Sequence, residues 1–120
     1  MREGIRVLIV DDQARTRQSL TALLATWPHV SGIQQAANGS EAVHMVEQSQ
    51  PDVILMDARM PDMDGVETTR IVKARWPQVK VVVLSMYADY RADALSAGAD
   101  VFVSKGDSPE SLLAVMRSLA

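Results

Sequence analysis

The chain has no cysteine, so a disulfide framework and thiolate chemistry are both excluded. It also lacks any apolar run near the roughly 20 residues that cross a bilayer as a helix. The first residues, Met1-Arg2-Glu3-Gly4, lead straight into a strand-like run without the layout of a signal peptide. A cytoplasmic protein with no membrane partner is therefore expected. A large excess of either charge is missing as well. The net charge of −3 argues against strong binding of nucleic acid or a membrane surface by these residues themselves. There is no Gly-rich phosphate loop, internal repeat, low-complexity segment or interdomain linker. One domain over residues 1–120 is expected.

What the chain does have is apolar content of 48%, which disfavours disorder and provides for a core. Five strand-like runs stand out: 6–10, 32–36, 53–56, 79–84 and 100–103. The second is the least apolar and reads as an edge. Helical spacing separates them. Leu20, Leu23, Leu24 and Trp27 recur on one face until Pro28 closes the segment. Ala42, Val43 and Val46 mark a second helix with Ser40 as N-cap. A third runs from Asp64 to Arg75 and a fourth, with a thin apolar stripe, from Ala88 to Ala97 before Gly98 as C′ cap. The last runs from Ser108 to Leu119, with Ser108-Pro109 as N-cap and first turn. Such strict alternation implies a parallel sheet covered on both faces, with ligands expected at the carboxyl ends of its strands.

Those ends carry the chemistry. Val53-Ile54-Leu55-Met56 is an unbroken apolar run that finishes in Asp57, and a carboxylate is costly there unless it has a task. Val7-Leu8-Ile9-Val10 likewise finishes in Asp11-Asp12. If the two strands are neighbours, three carboxylates converge and a hard cation is implied, Mg²⁺ or alternatively Mn²⁺. Lys105 adds an ammonium and Ser85 a hydroxyl. A cation, an ammonium and a hydroxyl around one carboxylate form a cradle for a phosphoryl group, with Asp57 as nucleophile. Singly, each has a plainer reading. Asp11-Asp12 fits a strand-end turn, Ser85 an ordinary strand-end serine, Lys105 a solvated lysine and Phe102 a core residue. Asp52, Asp62 and Asp64 read as turn and cap residues, Gly65 as a packing or turn glycine, His29 and His44 as surface, and the methionines as core filler.

In order and spacing, the chain resembles a response-regulator receiver domain of two-component signalling. The match is carried by Asp11-Asp12, Asp57 followed by Met60-Pro61 and Asp64-Gly65, Ser85 after Val81 to Leu84, and Lys105 after Phe102. The resemblance implies a doubly wound α/β fold: a five-stranded, flavodoxin-like parallel sheet of order 2-1-3-4-5 with five helices on both faces. It makes Asp57 the phosphoacceptor, fed by a sensor histidine kinase. Asp12 and Asp57 bind Mg²⁺ directly, Asp11 assists through water, and the Arg59 backbone carbonyl completes the protein ligands. Ser85 and Phe102 become a switch pair. It further implies no enzymatic activity beyond the domain's own phosphorylation and dephosphorylation, homodimerisation on phosphorylation, and control of transcription through a DNA-binding domain outside this chain. The alternatives are a stand-alone receiver acting by protein contact and an aspartyl phosphatase of haloacid-dehalogenase type.

Four positions depart from the family pattern or stand out beside the site. Gly106 replaces the proline common after the lysine, so a cis bond there is not assured. Phe102 replaces a common tyrosine. Arg59 and Tyr87, each two residues past a site residue, are placed to crowd the path of attacking water.

Overall fold

In the computed structural model, which describes residues 4–119, five strands and five helices alternate. They are β1 (Ile5–Val10), α1 (Ala14–Leu24), β2 (Val30–Ala36), α2 (Gly39–Gln48), β3 (Val53–Asp57), α3 (Gly65–Arg75), β4 (Lys80–Ser85), α4 (Tyr90–Ser96), β5 (Val101–Ser104) and α5 (Pro109–Leu119). The strands form one parallel sheet of order β2-β1-β3-β4-β5, as expected.

The period-2 alternation of the central strands builds two cores. Leu8, Val10, Ile54, Met56, Val81 and Val83 point to one face, where Ala42, Val46, Val66, Val72 and Ala94 from α2, α3 and α4 meet them. Val7, Ile9, Val53, Leu55, Val82 and Leu84 point to the other, against Leu24 of α1 and Leu112, Leu113 and Met116 of α5. Each fully buried aliphatic side chain contributes about 1.5–3 kcal/mol relative to exposure. All five residues of β3 are buried, and the last of them is Asp57.

Several boundaries differ from the sequence expectation. β2 starts two residues earlier, at Val30. It is an edge strand with Ser31 and Gln35 exposed on one face and Gln34 on the other, so its pattern is weakly apolar. β4 begins at Lys80 and β5 at Val101, each one residue later than expected. The N-cap of α2 is Asn38, whose side chain accepts from the Glu41 N–H, and Ser40 instead donates to Asp62 Oδ2 at 3.1 Å. α4 is shorter than expected, because Ala88 and Asp89 form a turn. Gly98 ends it as expected: it takes φ +105°, a conformation that favours glycine.

Connectivity positions the site. From β1 the chain runs outward through α1 to β2, then returns through α2 to β3 on the other side of β1. The order therefore reverses between β1 and β3, which opens a crevice at their carboxyl ends. Val10 is registered on Met56, so Asp11 follows β1 beside the position where β3 reaches Asp57.

Candidate functional site

The Asp11, Asp12 and Asp57 carboxylates converge at that crevice, each offering an oxygen within 4.8 Å of the others. Asp11 is 2% exposed and Asp57 7%, whereas Asp12 faces solvent. Asp11 is tied on two sides: its N–H donates to the Ala36 carbonyl at 3.1 Å and its Oδ1 accepts from the Gln13 N–H at 2.9 Å. Asp57 leads into a tight exit. The Ala58 N–H donates to the Leu84 carbonyl, and the Gly65 N–H donates back to the Ala58 carbonyl, both at 2.9 Å. Gly65 packs so closely that a Cβ would lie 1.9 Å from the Asp57 carbonyl oxygen. This is the physical reason for a glycine after Asp64, and Asp64 itself caps α3 by accepting from the Glu67 N–H.

Lys105 arrives from the far side. Ser85 pairs with Ser104, and the Lys105 N–H donates to the Ser85 carbonyl at 2.9 Å, so the β4–β5 ladder delivers Lys105 to the same edge. Its Nζ lies 2.9 Å from Asp57 Oδ1 and 3.2 Å from Asp11 Oδ2. Burial pushes the Asp57 carboxyl above its usual range. The Lys105 hydrogen bond opposes this shift, while the Asp11 and Asp12 charges add to it. Burial works to lower the Lys105 ammonium, but its hydrogen bond to Asp57 and the charges of Asp57 and Asp11 outweigh that, and it is raised. Three carboxylates thus face one ammonium. Clustered hard oxygen donors with uncompensated negative charge fit a divalent cation.

Ser85 is buried, and its Oγ accepts from the Tyr87 N–H at 3.0 Å. Phe102 is half-buried and packs against the core cluster on the α2–α3–α4 face. Arg59 and Tyr87, singled out separately in the sequence, stack on one another with the guanidinium carbon 5.4 Å from the ring centre. Both line a cavity of about 630 Å³ together with Asp12, Asp57, Ser85 and Lys105. Met60 is buried, whereas Met86 is 64% exposed and is not core filler. Among the described residues no peptide bond is cis, and the Lys105–Gly106 bond is trans. One contact escaped sequence reasoning: the Arg17 side chain reaches the Asp11 backbone carbonyl at 2.6 Å. A side chain bonded to a peptide group leaves no residue-type signature at its partner.

Residues 7–117 match the family described as response regulator receiver domain. The transcriptional regulatory protein DegU of Brevibacillus brevis is 36% identical over 97% of this chain and 50% of its own length. A protein-glutamate methylesterase/protein-glutamine glutaminase of Nocardioides sp. is 38% identical over 97% of this chain and 32% of its own. The chain therefore spans half or less of the length of these relatives. The crystal structure of response regulator protein TrrA from Thermotoga maritima in complex with Mg²⁺–BeF superposes with a TM-score of 0.88 at 28% identity, covering 97% of this chain and 99% of that one. The strand order, the acid cluster and these matches agree: the chain belongs to the response regulator receiver domain family.

Proposed function

We propose that the chain is a phosphorylation switch in which Asp57 accepts a phosphoryl group from the phosphohistidine of a sensor histidine kinase. The observation that carries this is the Asp57 carboxylate, buried at the carboxyl edge of the sheet. One of its oxygens lies 2.9 Å from the Lys105 ammonium, with two more acids in the same cluster. Asp11, Asp12 and Asp57, with the Arg59 backbone carbonyl, are the residues that would hold Mg²⁺, or alternatively Mn²⁺. Such an ion supplies positive charge that lets an anionic nucleophile meet an anionic donor. The Mg²⁺–BeF complex of the Thermotoga maritima relative supports this assignment.

The chain's own residues do the rest. An Asp57 oxygen attacks phosphorus, the phosphorus–nitrogen bond of the donor breaks with its electron pair staying on the imidazole, and an acyl phosphate forms. Lys105 balances charge on the phosphoryl oxygens. The new group brings close to two negative charges and three acceptor oxygens, which draw the Ser85 hydroxyl away from the Tyr87 N–H. The β4–α4 segment then shifts, and Phe102 fills the vacated space. α4 buries only Ala94, so it yields easily.

The only reaction the domain catalyses is the gain and loss of its own phosphoryl group. In the whole protein this switch controls transcription through a DNA-binding segment outside the chain, in the cytoplasm, with homodimerisation on phosphorylation. The DegU likeness supports the transcriptional role. The phosphatase alternative is disfavoured, because it calls for an acid two residues past the nucleophile and Arg59 stands there.

Incubation with acetyl phosphate and Mg²⁺ should add one phosphoryl group, read by intact mass, and Asp57→Asn should abolish it. Undiminished Mg²⁺-dependent labelling of Asp57→Asn would falsify the choice of nucleophile.

A further inference from the structure

Arg17 lies near the start of α1, six residues past Asp11, and takes no part in the mechanism above. Its Nη1 donates to the Asp11 carbonyl at 2.6 Å, and its Nε donates to Gln35 Oε1 at 3.0 Å. The Gln35 amide donates to Thr21 Oγ1 at 3.1 Å, and Thr21 Oγ1 donates to the Arg17 carbonyl at 2.8 Å. These bonds close a ring between α1 and the edge strand β2. The guanidinium fork is held at one end by Gln35 and grips the Asp11–Asp12 peptide with the other.

That peptide joins two members of the acid cluster. Asp11 is fixed independently, through its N–H and its Oδ1. Asp12 is held through its backbone alone: it is exposed, its carboxylate accepts no hydrogen bond among the described residues, and the Gln13 N–H to Asp11 Oδ1 bond reaches across it while Arg17 grips the peptide before it. The direction in which its side chain leaves depends on the plane of the peptide that Arg17 grips. We propose that Arg17 is a positioning residue which holds this peptide so that the Asp12 carboxylate faces Asp11 and Asp57, and thereby raises the affinity of the cluster for a divalent cation. It rests on the metal-site reading given under Proposed function.

Two effects of Arg17 oppose each other. As a positive charge near the cluster it repels a cation, but that repulsion is screened by the water around a half-exposed side chain. As a clamp it spares one of the three carboxylates the ordering that binding would otherwise demand. Removing a group that orients a metal ligand typically weakens binding by about tenfold or more. The clamp therefore wins, and the sign of the change on substitution separates the two.

Calorimetric titration of the chain with Mg²⁺ provides the test. Arg17→Met, which keeps the apolar stem and removes the fork, should raise the Mg²⁺ Kd about tenfold. Arg17→Lys keeps the charge but cannot span Gln35 and the Asp11 carbonyl together, so it should not restore affinity. Gln35→Leu, an exposed change that frees one end of the fork, should raise the Kd about threefold. In acetyl phosphate labelling, Arg17→Met should move the half-saturating Mg²⁺ concentration by the same factor and leave the rate at saturation unchanged. A general loss of fold would not produce that split. Equal or tighter Mg²⁺ binding by Arg17→Met overturns the inference, and if that variant does not fold, unchanged binding by Gln35→Leu overturns it instead. A wild-type chain that binds Mg²⁺ and is labelled while Arg17→Met behaves like it leaves the phosphoacceptor reading intact. A wild-type chain that binds no Mg²⁺ removes both.

Discussion

Asp57 is held in a charged form that its surroundings oppose. Burial and the neighbouring acids raise its carboxyl, and the Lys105 bond offsets this only in part. As pH rises, the folded chain therefore keeps the Asp57 proton longer than the unfolded chain does. In metal-free buffer this residue's contribution to stability falls from the ordinary carboxylate range, about pH 4, through the raised native value. Asp57→Asn keeps an oxygen for Lys105 and removes the charge. It should raise the urea-derived stability by about 1 kcal/mol at neutral pH in EDTA and flatten that fall, with the gain disappearing in saturating Mg²⁺. A second expectation concerns Tyr87, whose ring lies under the Arg59 guanidinium at the mouth of the site. Such stacks are worth about 0.5–1 kcal/mol at exposed sites. Tyr87→Ala frees Arg59 and opens a path for water, so the acyl phosphate should hydrolyse several-fold faster. Decay of the labelled mass in Mg²⁺ measures this, and an unchanged lifetime would show that the stack does not shield the phosphoryl group.

α4 is the shortest of the five helices and sits between two different kinds of anchor. It has seven residues and one buried side chain. Its exit is firm. Lys73 donates to the Pro77 and Val79 carbonyls and to Asp100 Oδ2, at 3.0, 2.9 and 3.0 Å, and the same Asp100 oxygen accepts from the Val81 N–H. Its entry hangs on the Ser85–Tyr87 hydrogen bond. Lys73→Met should therefore cost about 2 kcal/mol, because it leaves a half-buried Asp100 carboxylate without its cation. Leu95→Ala, on the exposed face, should fall within about 0.5 kcal/mol. Urea unfolding of both variants checks the contrast. The same element shows where sequence legibility ends. β1, β3 and β4 were readable because strands buried on both faces are uniformly apolar. Asp11, Asp12, Asp57, Ser85 and Lys105 were readable because polar groups at the ends of such runs are conspicuous. β2 was blurred because an edge strand needs apolar residues on little of its surface, and α4 because a helix with one buried alanine has almost no period. The Arg59–Tyr87 stack depends on how two turns fold toward each other and the Arg17 clamp on how α1 lies beside β2, which no spacing along the chain encodes.

At the scale of the molecule, the doubly wound sheet places the acid cluster and its facing lysine at the point where strand order reverses. Two cores grip the strands that deliver them. Because Asp11, Asp12 and Asp57 come from separate strand ends, 46 residues apart at the extremes, the cluster exists only in the folded chain. A cation that binds it must then stabilise the fold by RT ln(1 + [L]/Kd), about 2.7 kcal/mol at a hundredfold excess over Kd. For a chain of this size that corresponds to a rise in Tm of about 10 °C. The rise should be absent in NaCl of matched ionic strength, which screens the acids without bridging them. It should vanish on addition of EDTA. It should also shrink in Asp12→Asn, which removes a ligand but leaves both cores untouched. Calorimetric melting of the two chains across a Mg²⁺ series separates these cases. An equal rise in Asp12→Asn would mean that the ion stabilises some other part of the fold.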